Sequence, residues 1–186
     1  MKKAWIILAI IVVIIGGMTI GSYNSLVKSR EEVDRASGEI DVQLKRRYDL
    51  IGNLLETVKG YAAHETEIFK NVTDARARMT GASTTEEKAA ANEEATGALG
   101  RLIAITEGYP ELKADVNFRQ FSDELSGTEN RIAVARRDYN NAVSLYNKKV
   151  IGFPSNIFAG SMGMEKAPYF EAAEGEKEAP KVNFGS

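Results

Sequence analysis

This 186-residue sequence predicts an all-α protein with an N-terminal membrane helix. Three observations carry that expectation. Residues 4–20 hold no charge, Lys2 and Lys3 precede them, and an apolar repeat at helical spacing comes directly after. The first proline is Pro110, so nothing before it forbids a continuous helix. The predicted architecture is an N-terminal transmembrane helix continuing into an antiparallel up-down bundle of three long helices, plus a short C-terminal helical element. The predicted divisions are an anchor over 1–22, a bundle over 23–160 and a C-terminal segment over 161–186, disordered from about 174.

The anchor comes first. At 1.5 Å per residue, residues 4–20 extend about 26 Å, slightly short of a hydrocarbon core of about 30 Å. Gly21 and Ser22 can lengthen the span, and Trp5 and Tyr23 suit its two interfaces. A cleaved secretory signal also places lysines before an apolar core, but its core is normally shorter. Residues 17–21 (GMTIG) make a poor cleavage site, and a lipoprotein signal needs a cysteine, which the sequence lacks. An uncleaved anchor is the expectation. Lys2 and Lys3 on one side oppose Lys28, Arg30 and Arg35 on the other, so the positive-inside rule leaves the topology open.

From Tyr23 to Met79 the apolar residues fall in steps of three and four. The stripe passes through Val33, Ile40, Leu44, Tyr48, Ile51, Leu54, Val58, Ile68, Val72 and Ala75. A recurrence near 3.5 residues is that of a helix packed along its length, as in a coiled coil. Arg30, Ser37 and Glu65 interrupt the stripe, and Gly38, Gly52 and Gly60 are possible bend points at about 1 kcal/mol each relative to alanine. Gly81 is expected to end this helix.

The second helix is expected to start at Ser83 or Thr84, since Ser83 with Glu86 and Thr84 with Glu87 both have capping-box spacing. Its alanine-rich first half predicts a frayed start, and Gly108-Tyr109-Pro110 should stop it. In the third helix Phe118, Phe121, Leu125, Thr128, Ile132, Ala135, Tyr139, Ala142, Tyr146 and Val150 repeat the pattern until Gly152-Phe153-Pro154 breaks it. Residues 154–159 are expected to form one further turn. From Glu174 the composition turns to Glu, Lys, Pro and Gly with little to bury.

With 24 basic against 26 acidic side chains, the net charge of -2 gives no field to attract nucleic acid. The absence of cysteine excludes disulfides and thiolate metal sites.

Several long motifs carry a family resemblance. The string VQLKRRYDLIGNLLETVKGY at 42–61, then His64-Glu65, resembles the LemA family of bacterial membrane proteins. So do GTENRIAVARRDYN at 127–140, Tyr146-Asn147 and Phe153-Pro154-Ser155-Asn156. The likeness runs from the anchor to about Glu171. It implies an N-terminal membrane helix before a helical bundle, in a family some of whose members are associated with magnetosome membranes, and it supplies no catalytic residues. Two positions depart from the family's usual pattern. Gly52 stands where proline usually precedes the asparagine, and Asp115 where Leu-Lys-Ala is usually followed by asparagine.

No constellation suggests catalysis. His64 is the sole histidine, and position 61, three before it, is tyrosine, so the paired Glu-x-x-His sites of metal-binding bundles cannot form. No serine sits on a recognisable nucleophile elbow. His64 is expected to be a partly exposed helical residue, and no cofactor is expected. Lys45, Arg46 and Arg47 form the densest basic cluster. On an upright helix it lies nearly 40 Å beyond the membrane edge, far outside a screening length of about 8 Å. These side chains, with Arg136 and Arg137, are expected to be solvated or to pair with acidic groups across helices. Asn53, Asn130, Asn140 and Asn147 lie close to the stripes, where amides either fix register or oligomeric state or simply face water. Tyr48, Tyr61, Tyr139 and Tyr146 are expected in the core, with hydroxyl partners among nearby arginines and asparagines.

The candidate interaction or register residues are therefore Arg46, Arg47, Asn53, His64, Asn130, Arg136, Asn140 and Asn147. The expected function is that of a membrane-anchored, non-catalytic helical scaffold or interaction protein of the bacterial cytoplasmic membrane. It would have unknown protein partners or self-associate as a homo-oligomer. A self-assembling membrane-remodelling or envelope-stress protein is the alternative.

Overall fold

The computed structural model describes residues 2–62 and 64–171, and among them there are helices and no strand. In chain order they are α1 (Lys2–Lys59), α2 (Thr66–Gly81), α3 (Thr85–Ile105), a 3-10 turn (Thr106–Gly108), α4 (Pro110–Ala114), α5 (Val116–Ile151) and α6 (Ser155–Ser161). The all-α class agrees with the sequence, and the tail expected from about 174 lies outside the described residues.

α1 is one helix of 58 residues, about 87 Å long. It passes through Gly38 and Gly52 without interruption, so the anchor and the first packed helix are continuous. Among the described residues it is the one helix long and apolar enough to cross a membrane, and no residue of its most apolar stretch is buried. Each isoleucine or leucine left in water forgoes about 1.5–3 kcal/mol of burial, so this stretch requires an apolar environment.

The helix expected to reach Met79 is instead two. Helical structure stops after Lys59, and α2 begins at Thr66. The apolar period could not show this, because both helices bury the same face into one core. Leu54 and Val58 of α1 join Phe69, Val72 and Ala75 of α2 in a single cluster. On a straight helix Val72 would lie about 21 Å beyond Val58. Gly60, with its low helix propensity, is where the chain departs. Ala62, buried in the connecting turn, keeps the apolar rhythm without a helix.

α3 starts where the capping box places it: Thr84 accepts from the Glu87 N–H, and the Glu87 side chain accepts from the Thr84 N–H. It ends at Ile105, after which the 3-10 turn and Pro110 at the first position of α4 redirect the chain. α5 runs unbroken to Ile151, and α6 is the short element expected after Pro154.

The described residues divide into two compact units, 2–39 with 137–169 and 40–136 with 170–171. The first buries Leu26, Val33 and Ala36 of α1, Tyr139, Val143 and Tyr146 of α5, and Ala159. The second is built on a core of Ile51, Leu54, Leu55, Val58, Phe69, Val72, Leu99, Leu102, Leu112, Phe118 and Leu125.

Candidate functional site

In the unit of residues 40–136, a charged side chain takes a core position of α1. Ile40, Leu44, Arg47, Ile51, Leu54 and Val58 succeed one another in steps of three and four, and all six are buried. Arg47 was expected to be solvated or paired across helices, with Tyr48 on the stripe. The structure gives it the cross-helix pair but removes it from water, leaving its side chain 4% exposed. α3 has a similar position, for Asn92, Ala95, Leu99 and Leu102 repeat the same spacing and Asn92 is buried with them.

These placements bring together Arg47, Asn92, Thr96 and Glu129. Arg47 Nη1 donates to Asn92 Oδ1 at 2.8 Å and to the Glu129 carboxylate, and Nη2 donates to Thr96 Oγ1 at 3.0 Å. Thr96 in turn donates to the Asn92 carbonyl at 2.9 Å. Arg47 Nε and Asn92 Nδ2 are buried without a hydrogen-bond partner. Burial pulls the Arg47 guanidinium below its ordinary value, the Glu129 carboxylate raises it again, and Arg136 opposes it as a like charge. Such a cage costs desolvation that well-packed apolar side chains would avoid, and in some proteins buried polar groups of this kind specify packing. Asn92, Thr96 and Glu129 were not singled out in the sequence. The available signal was a polar residue in phase with the stripe, at positions 47 and 92.

The remaining candidates separate into three groups. Arg46 is exposed and reaches Glu124 of α5 at 3.4 Å. Arg136 is half-buried, with its guanidinium 4.6 Å from the centre of the Phe170 ring. Asn53, His64 and Asn130 are exposed, and His64 lies in the turn between α1 and α2 rather than on a helix. In the unit of residues 2–39 and 137–169, Asn140 is half-buried and Asn147 is buried. Asn147 directs its hydrogen bonds to a segment outside the helices. Its Nδ2 donates to the Ala167 carbonyl at 2.9 Å and its Oδ1 accepts the Ala167 N–H at 2.8 Å, clamping the extended segment after α6. Tyr139 donates to the Pro168 carbonyl of that segment at 3.0 Å.

The tyrosine expectation is only half met. Tyr139 and Tyr146 are buried, but Tyr48 is half-buried and Tyr61 is exposed, donating to Asp115 at 3.1 Å. Residue 61 lies past the end of α1, so the helical phase no longer governs where it points.

Arg47 is a fixed cation whose two Nη groups are committed to Asn92, Glu129 and Thr96, and an arginine does not serve as a base. Among the described residues no group of three or more acidic or histidine side chains is placed to hold a metal ion. The arrangement can hold helices in register and present an ordered surface.

The LemA family profile matches residues 36–184, more than half of the chain. The chain belongs to the LemA family. Magnetosome protein MamQ 2 of Paramagnetospirillum magneticum (strain AMB-1) is 30% identical over 175 residues, covering 80% of this chain and 64% of that protein. Magnetosome protein MamQ of Magnetospirillum gryphiswaldense is 27% identical over 174 residues, with the same coverage of 80% and 64%. Protein LemA of Metamycoplasma hominis is 27% identical over 159 residues, covering 85% of this chain and 73% of its own. The chain thus spans 64% of the length of the magnetosome relatives. The LemA assignment and the exposed apolar helix make this a membrane-associated bacterial protein of helical fold.

Both departures from the usual LemA pattern have a structural reading. At Gly52 the space a side chain would fill is taken by Arg76: a Cβ there would sit 2.7 Å from Nη2 and 2.8 Å from Cζ. At Asp115, Oδ1 accepts the Phe118 N–H at 2.9 Å, so the carboxylate caps α5 as an asparagine oxygen would. The backbone bond to Phe118, aided by the Tyr61 hydroxyl, holds the Asp115 carboxyl below its ordinary value.

Proposed function

We propose that this LemA-family chain is a non-catalytic scaffold or interaction protein, held in the bacterial cytoplasmic membrane by a single N-terminal pass. The observation that carries the reading is α1 itself. One helix exposes an apolar run at its start and supplies the packed core with Ile51, Leu54, Leu55 and Val58 near its end. Such a helix ties a folded helical unit to a bilayer through one continuous rod. The polar cage at Arg47 supports a role in which packing specificity matters more than stability. Exposed Val134 and Leu145 on α5 offer apolar contacts to a second copy or to another protein.

A photo-crosslinking side chain at Val134 or Leu145 of the full-length protein in cells tests this. Discrete adducts, or an oligomer by light scattering of the purified protein in detergent, are expected. A strictly monomeric protein without adducts at either position would overturn the reading. The second reading is a self-assembling membrane-remodelling or envelope-stress protein, favoured by relatives named as magnetosome proteins. Clustering or tubulation of vesicles by the purified full-length protein would select it.

A further inference from the structure

The corner between α5 and α6 combines exposed apolar side chains, unopposed lysines and a defined position beside the start of the packed part of α1. Arg30 lies over the Tyr146 ring at 5.8 Å, and Lys149 Nζ donates to the Ser25 carbonyl at 3.2 Å. As α5 advances from 146 to 149, its contact on α1 therefore steps back from 30 to 25, toward the apolar run. Ser25 is five residues past Ile20, about 8 Å of helix rise. α5 continues in that direction to its end at Ile151.

Beyond Lys149 the corner exposes large apolar side chains. Phe153 is 83% exposed, and Ile151 and Ile157 are more than half exposed. On α1 at the same end, Tyr23 and Val27 are exposed as well. Lys28, Lys148 and Lys149 lie in stretches free of acidic residues, 4–30 and 139–164, whereas Arg30 is paired with Asp34 at 3.2 Å. Exposed aromatic and aliphatic side chains beside lysines are the composition of segments that lie in a membrane interface. The distance criterion that excludes the cluster at 45–47 admits this one, since about 8 Å is within the screening length.

We infer that the α5–α6 corner docks on the surface of the bilayer that α1 enters. Phe153 and Ile157 reach the boundary between headgroups and acyl chains, and Lys28, Lys148 and Lys149 face anionic phospholipid headgroups. The inference rests on the reading that the apolar run of α1 lies in the bilayer. Docking would add a second attachment beside the spanning helix and restrain its tilt, which interfacial anchors govern.

The test uses the full chain, whose sequence contains no cysteine. Single cysteines replace Ile11, Phe153, Ile157 or Asn141 (Ile11→Cys, Phe153→Cys, Ile157→Cys, Asn141→Cys). Each variant carries a nitroxide and is reconstituted in vesicles of phosphatidylglycerol with phosphatidylcholine. Collision with oxygen, which partitions into lipid, is compared with collision with a nickel chelate, which stays in water. Ile11 should read as hydrocarbon, Phe153 and Ile157 as the headgroup boundary, and Asn141, about 15 Å back along α5, as water. In phosphatidylcholine alone, or with Lys148→Gln, the oxygen-to-nickel ratio at Phe153 should fall several-fold toward that of Asn141.

If Ile11 reads as lipid while Phe153 and Ile157 match Asn141, docking is wrong and the span stands. If Ile11 reads as water, the membrane reading itself fails. Shielding of Phe153 and Ile157 from both reagents would identify a protein occupant and overturn the lipid assignment. A ratio that ignores lipid charge would remove the role given to the headgroups.

Discussion

Arg76 reaches Tyr48 in two ways: its Nε donates to the Tyr48 carbonyl at 3.0 Å, and its guanidinium lies 3.9 Å from the centre of the Tyr48 ring. That carbonyl is also the α-helical acceptor for the N–H of Gly52. The missing side chain at 52 is what admits the guanidinium.

Gly52→Ala therefore sets two effects against each other. Alanine gains about 1 kcal/mol of helix propensity, but its methyl group displaces Arg76 from Tyr48. In the native chain the change should be nearly neutral, and in an Arg76→Ala background it should stabilise by about 1 kcal/mol. Denaturant midpoints for the four proteins of this cycle check it. Equal gains in both backgrounds would mean that Arg76 does not depend on the gap.

The cage around Arg47 should respond asymmetrically. The Arg47 side chain keeps 4% of its surface and the Glu129 side chain 40%, so only Glu129 can turn to water when its partner is lost. Glu129→Ala leaves a buried cation and should cost about 3 kcal/mol, toward the low end because the Asn92 and Thr96 bonds remain. Arg47→Met should cost less, since it puts an apolar side chain in phase with Leu44 and Ile51 and leaves a neutral amide oxygen of buried Asn92, rather than a charge, without its partner. Urea unfolding of both variants decides between this and a simple pair, for which the two losses would match.

Asn147 satisfies both backbone groups of buried Ala167. Asn147→Ala leaves that N–H and carbonyl unpaired, at about 1–3 kcal/mol each before relaxation. We expect a loss of at least about 2 kcal/mol in thermal or urea unfolding, with faster proteolysis of the segment after α6. A loss under about 0.5 kcal/mol, the level of an ordinary surface change, would show that the segment is not held there.

Stability should fall at both ends of the pH scale. Backbone N–H bonds hold the Glu87 and Asp115 carboxyls below their ordinary values. The unfolded chain then binds protons at higher pH than the folded one. Their contribution is present above about pH 4 and lost as pH falls through the lower folded values. The Tyr61 and Tyr109 hydroxyls donate to Asp115 and Glu65, which raises both above their ordinary values. That contribution is present below about pH 10 and lost as pH rises through the folded values. Melting curves should show a flatter acid limb for Glu87→Gln with Asp115→Asn, and a flatter alkaline limb for Tyr61→Phe with Tyr109→Phe. Unchanged limbs would rule these contacts out as contributors.

His64 sits exposed in the turn between α1 and α2. His64→Ala should leave helicity, melting temperature and any cellular phenotype unchanged. A phenotype lost with the fold intact would point to a chemical role.

Several elements could be read directly from consecutive residues. The span at 4–20, the Thr84–Glu87 capping box and the stop at 152–154 each depend on neighbours within one or two turns. Gly60 was one of three possible bend points, but the apolar pattern hid the break after Lys59 because the residues on both sides serve one core and so keep one period. The clamp of Asn147 on Ala167 was hidden because its partner is backbone in a segment with no periodicity. Arg47 was within reach, for the step from Leu44 to Ile51 leaves a position at 47, but a charge argues against burial until its partners are known.

By itself, then, the sequence determined the helical class, the apolar span and the family, and it narrowed the start of α3 to Ser83 or Thr84. Those properties arise from local propensity and from periodic patterning that a helix turns into a face. Only the tertiary structure decided which polar side chains go inside. The burial of Arg47 depends on Glu129, 82 residues away, and on Asn92, 45 residues away. A desolvated charge is tolerated only where distant groups converge on it, and that convergence exists only once the chain has folded.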